Sequence, residues 1–109
     1  MSLKIDLRYE KNDNIISVIP EGDIDIYTSH KFKETVLNSY EKNKGDVSID
    51  GSNLEYVDST GLGALISILK KVKETDNKVI ISNLKPNIKK LFSITELDKV
   101  FTIRGEGND

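Results

Sequence analysis

Cysteine is missing from this chain of 109 residues, and its absence excludes disulfide staples, a CxxC redox pair and any thiolate metal site. An excess of one charge is missing as well: 16 Lys and Arg stand against 18 Asp and Glu, a formal net charge of −2, with the two signs mixed along the chain. That excludes a basic face of the kind that grips nucleic acid through its phosphates. No apolar run approaches the length of a membrane span, and the start, MSLKIDLRYE, has no uninterrupted signal-peptide core, so no membrane partner and a cytoplasmic location are expected. Histidine is represented by His30 alone, and the GxSxG elbow fails because Val57 stands where its first glycine belongs; a Ser/His/Asp hydrolase is therefore not expected, nor is any other enzyme.

The chain does have enough length for one core without staples, and with no repeat or linker inside it a single domain over 1–109 is expected. LKIDLRY alternates Leu3, Ile5, Leu7 and Tyr9 with polar neighbours, the period of a half-buried strand, and the turn residues Lys11 to Asn14 lead to a second strand at Ile15 to Ile19, its hairpin partner. A loop, EGDIDIYT, precedes a helix whose apolar side is Phe32, Val36, Leu37 and Tyr40, with Gly45 expected as its C-terminal cap and His30 in its first turn. DVSID reads as a third strand. Leu62, Leu65, Ile66, Leu69 and Val72 then repeat at helical spacing until ETDN breaks the pattern. KVIIS is a fourth strand, KPNIKKLF opens a third helix with Pro86 at its first position, VFTI is a last strand, and a loose tail is expected from Arg104 to Asp109. The order β-β-α-β-α-β-α-β implies an α/β fold with a mixed, mainly parallel β-sheet.

In such a sheet the useful edge lies beyond the carboxyl ends of the strands, beside the helix N-termini. Two loops should open there: one with Glu21, Asp23 and Asp25, the other with Asp58, Ser59 and Thr60. The plain structural expectation makes Ser59 an N-cap and has Gly61 and Gly63 serve close helix packing. A phosphate loop is not expected, since the Walker pattern needs Lys-Ser/Thr where Ala64-Leu65 follows the GLG run. A metal held by Asp23, Asp25 and Asp58 would need convergence from separate loops with no His or Cys support, so no metal or cofactor is expected and the loop acids should be solvated.

VDSTGLGAL, from Val57 to Leu65, resembles the D-S-[ST]-G-L-G signature of the STAS domain in bacterial anti-anti-sigma factors, and EGDIDIYT resembles that family's Gly-acid-aliphatic-Asp loop. KPNIKKLFSITELDKVFTI is similar to its closing segment, so the resemblance runs nearly the whole chain in order. It implies a STAS-like domain that acts by partner switching: the unmodified form binds an anti-sigma factor that is also a serine kinase, the sigma factor is released, the kinase inactivates its antagonist, and a PPM-type phosphatase restores it. Carried over by position, the phosphorylated residue is Ser59, and the partner surface is Asp23, Asp25, Asp58, Ser59, Thr60, Gly61, Leu62 and Gly63. The alternative implied is a STAS-like nucleotide- or ligand-binding sensor without phosphorylation.

Overall fold

The computed structural model describes residues 2–105. The hairpin is present: β1 (Leu3–Glu10) runs antiparallel to β2 (Ile15–Ile24), with Leu7 opposite Val18. After α1 (Ser29–Lys42) come β3 (Asp46–Asp50), β4 (Leu54–Val57), α2 (Ser59–Lys73), β5 (Val79–Ser82), α3 (Pro86–Ile94), a short 3₁₀ turn at Leu97–Lys99 and β6 (Thr102–Arg104). The sheet has the order β1-β2-β3-β5-β6, and every pair after the hairpin is parallel. β4 pairs the far end of β2, off this path.

The sheet therefore has six strands, one more than the sequence pattern predicts. β4 has Leu54 and Val57 buried while Glu55 and Tyr56 are exposed, so the two-residue alternation that betrays a half-buried strand is absent. β2 also continues past Ile19 to Ile24, through a proline and a glycine that read as loop. Pro20 is tolerated there because β3 pairs only as far as Val18 and β4 begins at Gly22; a residue without an N–H stands in the gap. Gly22 has φ 117° and a Cβ on it would sit 2.3 Å from the Ser2 carbonyl oxygen, beside the register shift between Gly22 and Asp23.

Alternation assigns the two faces of the sheet. Leu7, Val18, Ile49, Ile81 and Ile103 stand opposite one another in register across five strands and belong to the apolar core with Phe32, Val36, Leu65, Ile68, Leu69, Ile88 and Phe92 of the three helices. The row one residue along, Arg8, Ser17, Ser48, Ile80 and Thr102, points to the other face. Phe92 meets Phe101 edge to face, centroids 5.5 Å apart, a favoured aromatic geometry. Buried Tyr40 ties the end of α1 to the end of α2: its hydroxyl donates to the Val72 carbonyl at 3.3 Å, pairs with the Thr75 hydroxyl and accepts from the Asn77 amide at 3.4 Å.

Gly45 is not the cap of α1. The cap is Asn43, extended at φ −143°, ψ 90°, and Gly45 instead makes room for the hairpin turn, since a Cβ there would lie 2.2 Å from the Asn14 carbonyl oxygen. The expected tail also begins too early: Arg104 closes β6 opposite Ser82, and its carbonyl accepts from the Asn83 N–H at 3.0 Å. The remainder of that expectation, residues 106–109, lies outside the described residues. No helix among the described residues is long and apolar enough to cross a membrane.

Candidate functional site

α2 starts at Ser59, and its N-cap is Asp58, whose Oδ1 accepts from the Gly61 N–H at 2.8 Å and from the Thr60 hydroxyl at 2.7 Å. Ser59 is thus the first helical residue and not the cap, contrary to the plain structural expectation. The other oxygen of Asp58 accepts from the Ile26 N–H at 3.2 Å, so one carboxylate joins the β2–α1 loop to the start of α2. The Thr60 hydroxyl, foremost, and the Gly61 and Ile26 amides hold the Asp58 carboxyl below its ordinary range, because each donates to the charged form.

Of the acids read as one loop, Glu21 is exposed on β2, but Asp23 at the end of β2 and Asp25 in the β2–α1 loop are not solvated. Asp25 is 4% exposed and Asp23 9%. Asp25 Oδ1 accepts from the Tyr27 N–H at 2.9 Å and the Thr28 N–H at 3.2 Å, the hydrogen bonds of an Asx turn that launches α1. The Thr28 hydroxyl accepts from the Asp25 N–H at 2.9 Å and donates to the Asp23 carbonyl at 2.7 Å. With Asp25 and Asp58 occupied by backbone amides, the three aspartates do not act as one ligand set, and no cluster among the described residues could hold a metal ion.

The hydroxyls of the motif divide in the same way. Ser59 and Thr60 are both exposed, but the Thr60 hydroxyl is tied to Asp58, whereas no hydrogen bond holds that of Ser59 among the described residues. The glycines divide too. A Cβ on Gly61 would sit 2.1 Å from the Ile24 carbonyl oxygen and 2.9 Å from Val57, so this glycine lets α2 press on β2 and β4; a Cβ on exposed Gly63 would meet nothing within 4 Å. Leu62 faces the core.

Two residues that the sequence pattern did not single out stand beside this edge: Ile26, 67% exposed, and Tyr27, 81% exposed. The Asp58 to Ile26 hydrogen bond places them next to the start of α2. Their only signal was an apolar pair in a loop otherwise made of acids and turn formers. On the other side a cleft of about 330 Å³ runs between the helix starts, lined by Ser29, His30 and Lys33 of α1 and Thr60, Gly63 and Ser67 of α2. His30 is the second residue of α1, 3.2 Å from Glu34. The edge as a whole offers an unengaged hydroxyl at a helix N-terminus, bare backbone at Gly63 and two exposed apolar side chains, on supports tied by the hydrogen bonds of Asp25, Thr28 and Asp58.

The family described as STAS domain matches residues 6–106. The chain belongs to that family. The STAS domain here is 31% identical over 105 residues to an anti-sigma-B factor antagonist of Listeria monocytogenes, covering 95% of this chain and 90% of that one. It is also similar to the crystal structure of an anti-sigma factor antagonist from Mycobacterium paratuberculosis, with TM-score 0.78, 25% identity, and coverage of 94% of this chain and 86% of that one. A third STAS-like neighbour is the Bacillus cell fate determinant SpoIIAA in its phosphorylated form, at TM-score 0.74 and 13% identity over 94% of this chain and 91% of that one; at that identity the likeness concerns the fold.

Proposed function

We propose that this STAS domain is an anti-sigma factor antagonist, switched by phosphorylation of Ser59. In its unmodified form it binds a cytoplasmic anti-sigma factor that is also a serine kinase, and the sigma factor is set free. The kinase transfers a phosphate to Ser59, which ends the binding, and a PPM-type phosphatase removes it. The observation that carries this reading is the contrast within one motif: Ser59 is exposed with an unengaged hydroxyl, while Thr60 beside it is held by Asp58. The name of the Listeria relative, an anti-sigma-B factor antagonist, supports the partner class.

The physics of the site suits a switch that leaves the fold intact. A phosphate adds about −1.5 to −2 charge, and at the first residue of α2 it meets the positive end of the helix dipole. The docking surface responds differently. A partner laid over Ser59, Thr60 and Gly63 and gripping Ile26 and Tyr27 would meet new bulk and charge beside the Asp58 carboxylate; Leu62, expected on that surface from the resemblance, is turned into the core instead. A cost of roughly 3 kcal/mol weakens binding about a hundredfold. Asp23, Asp25 and Gly61 serve that surface from behind by shaping its loops, and Asp58 serves it directly.

The test is peptide mass spectrometry after incubation with ATP and a lysate of the source cells, with Ser59→Ala as control. A single phosphate on Ser59, absent from the control, is expected. Phosphate on Thr60 would move the switch by one residue; none at all, with a thermal shift on adding nucleotide alone, would favour the ligand sensor.

A further inference from the structure

β1 is the outermost strand of the sheet, and among the described residues it pairs only with β2, so one side of its backbone has amides and carbonyls with no strand beside them. This edge is eight residues long, against three for β6 at the opposite edge. Long open edges are templates for another strand, and proteins usually blunt them with charge or with bulges. β1 is regular throughout, and its charges, Lys4, Asp6, Arg8 and Glu10, are all exposed and alternate in sign along one face. Among the described residues no salt bridge engages any of the four.

We infer that β1 pairs antiparallel with β1 of a second copy of this chain, centred on Leu7, to make one continuous sheet across a two-fold axis. In that register Lys4 stands opposite Glu10 of the second copy and Asp6 opposite Arg8, and the two-fold repeats both pairs, so every charge on the face meets its opposite. On the other face Leu7 meets its own counterpart and Ile5 meets Tyr9, each half-buried in the single chain, so pairing covers the flank of the core that β1 leaves open. Opposite charges directly across an antiparallel pair stabilise it and like charges oppose it. The neighbouring registers are excluded on that ground. A shift of two residues one way sets Asp6 against Asp6 and Lys4 against Arg8, and the other way sets Arg8 against Arg8 and Asp6 against Glu10. A shift of one residue turns the second copy over and exposes its core face. The contact is isologous and closed, so it ends at two chains.

The two-fold stands perpendicular to the sheet and reverses the strand direction in the second copy. The two Ser59 edges therefore point to opposite ends of the continuous sheet, and each stays open. Pairing and partner binding are independent, and the test uses no partner protein.

The test is sedimentation of the full chain across a range of concentrations at low salt, for the wild type, Asp6→Arg and Arg8→Asp, with circular dichroism melts on each. The wild type is expected to show a reversible monomer–dimer equilibrium. Asp6→Arg alone creates two Arg–Arg pairs and Arg8→Asp alone two Asp–Asp pairs, and each should weaken self-association at least about tenfold. Mixing the two variants restores opposite charge at both positions and should restore the dimer. A wild type that stays monomeric, variants that associate as tightly as the wild type, or a mixture that does not recover would each overturn the inference. Should either variant lose its fold, amide exchange at β1 in the wild type decides: slower exchange at higher concentration supports the pairing and concentration-independent exchange overturns it.

Discussion

Gly61 and Gly63 are two residues apart on one helix and do opposite things. The first is pressed against the Ile24 carbonyl and the second faces open space. The same division separates Thr60 from Ser59 and the interior Asp25 from the outward Ile26 and Tyr27. One set of residues builds the edge, and the other is left free on it. Residue type does not tell the two sets apart, because each contains a glycine and a hydroxyl.

Substitutions that treat the two sets alike should give opposite results. The largest effect is expected from Gly61→Ala, which forces a methyl into a backbone carbonyl: about 3 kcal/mol of stability and about 12 °C in Tm are lost, measured by thermal melt. Gly63→Ala, the same change two residues on, should raise stability by about 0.5 to 1 kcal/mol through helix propensity alone. Equal losses at both positions would erase the contrast. Ser59→Asp should leave Tm within about 3 °C of the wild type and weaken binding to the anti-sigma partner about a hundredfold in a titration. A large fall in Tm would move Ser59 into the building set. Tyr27→Ala should lower that affinity about tenfold with Tm unchanged, as expected of an exposed aromatic anchor.

The smallest effect is electrostatic. The Asp58 carboxyl ionises at lower pH in the folded chain than in an unfolded one because the Thr60 hydroxyl and the Gly61 and Ile26 amides donate to it. Its contribution is therefore complete above the ordinary carboxylate range near about pH 4 and fades as pH falls through the lowered value. Asp58→Asn should melt below the wild type at neutral pH, and the gap should close in acid. A gap that does not change with pH would mean that the charge of Asp58 is irrelevant and only its shape matters.

Periodicity made most of the fold legible before any coordinates. The hairpin, the three helices and the parallel strands all rest on spacings of two or about 3.6 that one-sided burial imposes, and Pro86 opens α3 as its missing N–H allows. β4 escaped because both its ends are buried and its middle is exposed. The far end of β2 escaped because Pro20 and Gly22 imitate a loop, although a change of pairing partner accommodates the one and a bulge the other. At the candidate site, the connection rules of an α/β sheet predicted that the two loops open on one edge, and the Asp58 to Ile26 hydrogen bond joins them there. Those rules could not say which acid turns inward, because the Asx turn of Asp25 depends on amides two and three residues on, and that geometry leaves no mark in composition.

The bonds of Tyr40 to Val72, Thr75 and Asn77 lie at the opposite end of α1 and α2 from Ser59. With their far ends tied there and the Asp58 to Ile26 hydrogen bond joining the entry loop of α1 to the start of α2, the two helices present their starts already set relative to each other. If the proposed partner docks at this edge, its recognition would resemble a key entering a cut lock more than a hand closing on an object. The speed of encounter depends on diffusion and charge, with no waiting for the receptor to take shape.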